Sequence, residues 1–231
     1  GARYERQGGR HFDRYFFDDI KTIADHAHYV GDIRDHAWWG HEPQAAGDTL
    51  AAGGGHAHCG AMIYLADNWP EQYRNQIFFN NIHGNRVNND VLIREGSGFI
   101  GKHGRDLMIA NDQWFRGINL KYGPDGSVYL IDWYDRNACH RADPEIWDRT
   151  NGRIYKISYG TPKPAKVDLS KLSDGELVKL HGSPNEWYVR TARRILQERG
   201  GNRAMHAGLG QIVDSQSSVA VRLRALWTLH A

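Results

Sequence analysis

The chain predicts a mixed fold, mainly β and then α: an incomplete β-propeller, with blades of four-stranded antiparallel sheet, followed by HEAT-like α-hairpin repeats. Three observations carry this. Between Gly117 and Tyr159 three apolar β-type runs, Ile118 to Tyr122, Val128 to Asp132 and Arg153 to Tyr159, are separated by Gly123-Pro124-Asp125-Gly126 and then by a long polar loop. The same grammar occurs one unit earlier in Ala61 to Leu65, Gln76 to Asn81 and Arg86 to Ile93, where IFFNNIHGNRV lies over VYLIDWYD plus GRI. A short sheet unit that recurs buries its faces by stacking on its neighbours, and radial repetition of blades is the architecture that does so. After Gly160-Thr161-Pro162-Lys163-Pro164 the apolar period changes from strand-like to helical. The domains are therefore blades over 1–159, a linker over 160–172, and helical repeats over 173–231.

Each element has a local reason. Residues 1–31 are aromatic-rich, with Ile20 to Ala24 a candidate strand, and 32–55 read as a long Gly/Ala/His loop. Asn68-Trp69-Pro70 and His83-Gly84-Asn85 are turn formers between strands. Pro124-Asp125-Gly126 supplies a fixed φ, a side-chain acceptor and a permissive φ, so the runs on either side must double back on each other. The loop from Trp133 to Gly152 is far longer than a hairpin needs, and loops of this length inside compact sheets are usually functional or disordered. Two prolines and a glycine in the linker stop strand pairing. Ser173-Asp174-Gly175-Glu176 fits a capping box that opens a short helix to His181. Asn185 or Glu186 to Arg199 is a second helix closed by Gly200; Ala204 to Val213 and Val219 to Leu229 are a third and a fourth. Val189-Arg190 and Val221-Arg222 each open an apolar helix, which suggests the α-hairpin repeat, with an ordinary helical cap as the alternative.

Composition narrows the function classes. The 231 residues carry a net charge of +2, with 40% hydrophobic and 24% charged residues, which is ordinary globular chemistry. The charge is spread, leaving no basic stripe for nucleic acid, and no apolar run approaches the roughly 20 residues of a membrane span. There is no C-x-x-C-H haem attachment and no C-x-x-C zinc knuckle. Cys59 and Cys139 could pair, bind metal or be inert. A first residue other than Met and a last helix without a C-cap suggest a longer parent protein.

The chemistry-bearing residues fall where strand direction gathers them. If strands run outward through each blade, His56 and His58 enter a first strand at the end where His83 leaves a second. Asp112 and Trp114 enter, and Asp132, Trp133 and Asp135 leave, at that same end. Polar residues converging on one end of a propeller are the default ligand site. His58, His83 and Asp135 are the candidate catalytic groups, with a histidine poised as general base near neutral pH. His56 and His58 are the candidate metal ligands and need a third, His83 or Asp135; loop histidines in hydrogen bonds are the plainer reading. Asn81, Trp114, Asp132, Trp133 and Arg149 are the candidate substrate- or cofactor-binding groups. Asn80-Asn81 and Asn88-Asn89-Asp90 offer oxygen ligands of the kind Ca²⁺ takes, or else form turns. Trp114, Trp133 and Trp147 make a stacking platform for a sugar or quinone ring, or wedge the blades together. Arg149 and Arg153 can hold a carboxylate, or pair with Asp148 and Asp135.

The strings GGGHAHCGAMIYLADNWPEQYRNQIFFNNIHGNRVNND, NDQWFRGINLKYGPDGSVYLIDWYDRNACH and DRTNGRIYKISY together resemble the membrane-bound dehydrogenases of planctomycete-type bacteria, also described as a PVC-type haem-binding family. The resemblance spans nearly the whole chain. It implies a sugar-dehydrogenase-like propeller with HEAT-type repeats, periplasmic, membrane-associated or secreted. Its implied activity is oxidation of a sugar or alcohol, hydride passing to a quinone (PQQ-like) with Ca, and electrons to a separate c-type haem module outside this chain. A non-enzymatic carbohydrate- or protein-binding propeller on a HEAT scaffold is the competing expectation.

Overall fold

The computed structural model describes residues 58–136, 148, 150–215 and 218–231. Antiparallel sheets come first and helices after, as the change of period predicts. Two compact units result. Among the described residues, one holds 58–64, 75–121 and 129–157, and the other holds 65–74, 122–128 and 158–231.

In the first unit β1 (His58–Ile63), β2 (Ile77–Asn81), β3 (Arg86–Glu95) and β4 (Gly98–His103) form one sheet in that order, with β5 (Met108–Ile109) also on β3. β6 (Gly117–Tyr122), β7 (Val128–Asp132) and β8 (Arg153–Ile157) form a three-stranded sheet. The Val/Ile/Phe runs give the strands, and the turn residues give the register. Gly84 N–H donates to Asn81 Oδ1, and Asn85 takes a left-handed φ of 51° to close the β2–β3 turn. His58 then stands opposite Asn81, and Ile77 opposite Asp90.

Several strand boundaries differ from expectation. The first strand begins at His58 rather than Ala61 and ends at Ile63, because a left-handed Gly60 (φ 63°) makes a bulge that lets pairing start before it. β3 runs to Glu95, since residues 91–95 pair with β4 after β2 has ended. β8 ends at Ile157, because Tyr159 N–H is taken by Asn68 Oδ1. The candidate strand Ile20 to Ala24 lies outside the described residues.

Burial separates the two sheets. In β2, Phe78, Phe79, Asn80 and Asn81 are all buried, so both faces are covered. In β7, Val128, Leu130 and Asp132 are buried while Tyr129 and Ile131 are exposed, which is the period-two pattern of one covered face. The first sheet meets β6 closely. A Cβ on Gly60 would stand 2.6 Å from Asn119 Cα and from Ile118 O, and one on Gly117 would fall onto Asn80 Oδ1. Cys59 is a free thiol whose Sγ–H donates to Gly117 O at 3.5 Å; Cys139 lies outside the described residues.

The second unit is built on α1 (Asp174–Lys179), α2 (Glu186–Glu198), α3 (Arg203–Ser215) and α4 (Val219–His230). The capping box is present: Glu176 N–H donates to Ser173 Oγ, and Ser173 N–H to Glu176 Oε2. Asn185 caps α2 through Trp187 N–H, and Gly200 at φ 78° ends it. Leu177, Val178, Ala192, Leu196, Leu209 and Ala225 form the core, which Leu169 also enters from a 3-10 turn at the end of the expected linker. Two excursions from the strand half belong here. Asn185 Nδ2 donates to Gly123 O and Pro124 O, and Glu186 N–H donates to Leu65 O.

Candidate functional site

β1 starts, β2 ends, β6 starts and β7 ends at one end of the sheets, and Arg116 ties that end together. The residue precedes β6 and is 2% exposed. Its Nη1 donates to Ile82 O at 3.2 Å and Phe115 O at 2.9 Å, and its Nη2 to Arg136 O at 3.1 Å. Asp132, the last residue of β7, accepts at Oδ1 from Arg116 N–H at 2.7 Å and Tyr134 N–H at 2.9 Å. Trp133 N–H donates to Arg116 O and Asp135 N–H to Trp114 O, so the β6–β7 pairing runs on past both strands. Asn85 Nδ2 donates to Gln113 O and Phe115 O and draws the β2–β3 turn to the same place.

The electrostatics are those of charges taken out of water. Burial lowers the Arg116 pKa to about 10, against the pull of Asp135, Asp132 and Asp112. Burial also raises the Asp132 carboxyl, more than two backbone donors and Arg153 lower it. Among the described residues Asp132 Oδ2, Arg116 Nε and Arg153 Nη1 are buried with no hydrogen-bond partner. Tyr134 adopts φ 54°, an uncommon conformation for a bulky side chain and one that collects at functional sites. The Arg153 guanidinium lies 3.3 Å over its ring, and the Trp114 ring, 39% exposed, stands 5.7 Å away. A buried carboxylate oxygen and two buried guanidinium nitrogens without partners among the described residues thus lie close to an exposed aromatic ring.

The residues singled out from sequence divide as follows. Trp114, Asp132, Trp133 and Asp135 come together through the hydrogen bonds above. Asp135 is fully buried, and its Oδ2 accepts from Asp148 N–H, so it supports the loop as well as facing the site. His83 is buried in the turn after β2, beside Ile82, which Arg116 holds. His58 joins the same end through its register with Asn81 and meets the Phe79 ring edge-on at 5.4 Å. Asn81 spends its side-chain oxygen on the turn at Gly84 rather than on a ligand. Of the residues considered for Ca²⁺, Asn89 serves the sheet, its Nδ2 donating to Ile77 O and Asp90 O, while both amide atoms of Asn80 are buried with no hydrogen-bond partner among the described residues. His56, Trp147 and Arg149 lie outside the described residues. Among those described, no three His, Cys, Asp or Glu side chains are placed to hold a metal.

Sequence reasoning missed Arg116 and Tyr134. An arginine before a strand reads as a solvated charge, and a left-handed tyrosine has no signature. It also missed a second cluster, in which Arg86 pairs with Asp106 at 2.6 Å and His103 lies 3.7 Å from both Asp106 and Asp90. Asp90 and His103 are register partners across β3 and β4, so strand pairing had placed them together.

Neither a curated protein nor a solved structure matches the chain. Residues 32–161, more than half of its length, match the family described as a domain of unknown function (DUF7133), and the chain belongs to that family.

Proposed function

We propose that the chain supplies two blades of a β-propeller dehydrogenase that takes a sugar or alcohol at the end around Asp132. The observation that carries the reading is the Asp132 carboxyl, 1% exposed, with Oδ1 fixed by two backbone donors and Oδ2 unpartnered among the described residues. A carboxylate held this way, with its proton affinity raised by burial, is suited to accept the proton of a bound hydroxyl. Arg116 Nε and Arg153 Nη1 are donors for neighbouring oxygens, and Trp114 presents a ring to the ligand's apolar face. His58 and His83 flank this end. The resemblance assigns the hydride to a PQQ-like quinone and the electrons to a separate c-type haem module, and no described residue is assigned to either group. Among the described residues no three His, Cys, Asp or Glu side chains are placed to hold a cation, and no step uses calcium.

The propeller reading is supported by the repeated hairpins and by the face of β2 that β6 covers, beside the uncovered Tyr129 and Ile131 of β7. The HEAT reading is supported by the paired openings at Val189 and Val221. Among the described residues no helix is long and apolar enough to cross a membrane. A periplasmic, membrane-associated or secreted setting rests on the resemblance. The exposed Trp114 ring favours a second reading, a carbohydrate-binding propeller without turnover.

The test is calorimetric titration of a sugar and alcohol panel with wild type and Asp132→Asn, beside quinone-dependent dye reduction by the same proteins. Loss of turnover with binding kept makes Asp132 the base. Loss of binding with no turnover in wild type selects the binding reading. Equal binding and equal turnover in both proteins would sink the proposal.

A further inference from the structure

The helical unit buries a polar network that no part of the proposed reaction uses. His181 follows α1 in a 3-10 turn and is fully buried. Its Nδ1 lies 2.9 Å from Val178 O, and its Nε2 lies 2.7 Å from Thr228 Oγ1 on α4. A carbonyl only accepts, so Nδ1 carries the proton of the neutral ring, and Nε2 accepts from the Thr228 hydroxyl. Thr228 Oγ1 in turn accepts from Arg193 Nε on α2 at 3.1 Å. Arg224 on α4 donates through Nη1 to His181 O and Ser183 O, and pairs through Nη2 with Glu186 on α2 at 2.6 Å.

We propose that His181 is a proton-sensitive clasp, holding α4 to α1 and α2 while its ring is neutral and loosening α4 once the ring is protonated. The hydroxyl of Thr228 makes two arrangements available. It gives its proton to Nε2 when the ring is neutral, and it can turn to Arg224 O, 2.9 Å away, when Nε2 itself must donate. Hydrogen bonds are therefore kept on protonation, and the charge balance is what changes. The charged groups acting on the ring from the packed elements are Arg193 of α2 and Arg224 of α4, the latter paired with Glu186 of α2; Glu176 and Lys179 of α1 are exposed. One carboxylate already faces two guanidiniums, of which Arg224 is buried and Arg193 half-buried, and an imidazolium adds a third cation. Burial lowers the ring's proton affinity most; the carbonyls of Val178 and Leu177 raise it, and Arg193 and Arg224 lower it further. A histidine whose folded pKa is depressed contributes stability that is present above its unfolded value of about 6.5 and is lost as pH falls through that value toward the folded one. Each pH unit in that window favours the open form about tenfold.

The full chain is titrated from pH 7.5 to 5. His181 tautomer and charge are read by long-range proton–nitrogen NMR, and amide exchange of residues 219–231, corrected for its intrinsic pH dependence, is read alongside. The expected result is a neutral, Nδ1-protonated ring at pH 7.5, and a loss of protection in 219–231 of about tenfold per pH unit once below about 6.5. His181→Gln should flatten that dependence. A doubly protonated ring at pH 7.5, unchanged protection as the wild-type ring gains its proton, or the same pH dependence in a folded His181→Gln each overturns the clasp. The wild-type titration decides even where the variant does not fold.

Discussion

Gly60→Ala tests the approach of β1 to β6, on which the shared end depends. Two costs combine at this position. The backbone is left-handed at φ 63°, which costs an L-residue roughly 1–2 kcal/mol. The new methyl would also stand 2.6 Å from Asn119 Cα and Ile118 O, backbone atoms that cannot rotate away, and such overpacking costs about 1–3 kcal/mol. Together they give roughly 2–5 kcal/mol. Gly96→Ala is the control, because its φ of 57° is nearly the same but nothing lies within 4 Å of the added carbon. It should lose only the conformational part, about 1–2 kcal/mol. Urea unfolding of the two variants, compared at equal m, isolates the strand approach as the difference, expected at about 1–3 kcal/mol. Variants that agree within about 0.5 kcal/mol would show that β1 does not lie against β6 as described.

Asp132→Asn should keep both backbone donors on its oxygen and leave the fold as stable as wild type at pH 7, or more so. The sign follows from a raised folded pKa: stability is present at acid pH and lost as pH rises through the folded value, so the variant's advantage should vanish near pH 4 in urea titrations. Arg224→Met should cost about 3–5 kcal/mol, since it strands the buried Glu186 carboxylate; thermal unfolding with a loss under about 1 kcal/mol would contradict a desolvated pair. Tyr134→Gly relieves a left-handed strain of about 1–2 kcal/mol and gives up a stacked guanidinium of similar worth, so stability should hold while ligand affinity falls at least about tenfold. A large loss of stability would make Tyr134 a packing residue.

Legibility from sequence followed the range of the interaction. The Pro124-Asp125-Gly126 turn, the Ser173 capping box and the Gly200 C-cap were readable, because each is settled within a few residues by its own side chains. Strand direction alone was enough to expect His56, His58, His83, Asp132 and Asp135 at one end, and of these His56 lies outside the described residues. Interactions set by tertiary approach were not. Asn185 reads as a helix cap and also fastens Gly123 O and Pro124 O, 62 and 61 residues away. Nothing near Arg116 announces that three carbonyls will hold it. The bulge at Gly60 moved the first strand by three residues, from Ala61 to His58, because a glycine that reads as a loop residue was needed for close approach.

The two halves treat buried polarity differently. In the helical unit Glu186 meets Arg224, His181 meets Thr228 and Val178 O, and Asn185 meets three backbone groups, with Arg193 Nη2 left over among the described residues. At the shared end of the sheets Asp132 Oδ2, Arg116 Nε, Arg153 Nη1 and both amide atoms of Asn80 are buried without partners among the described residues. An unsatisfied buried group costs about 1–3 kcal/mol, so this set weighs against a total stability of roughly 5–15 kcal/mol. A fold with no use for such groups would gain by replacing them with apolar side chains of similar shape. Ordered water can satisfy Asn80, which offers a donor and an acceptor. Carboxylate and guanidinium atoms left open beside a strained tyrosine and an exposed tryptophan are better matched by a ligand that brings hydroxyl donors and acceptors of its own. The helical network rests on groups that largely satisfy each other, while the unpartnered groups around Asp132 are the ones the proposed ligand would satisfy.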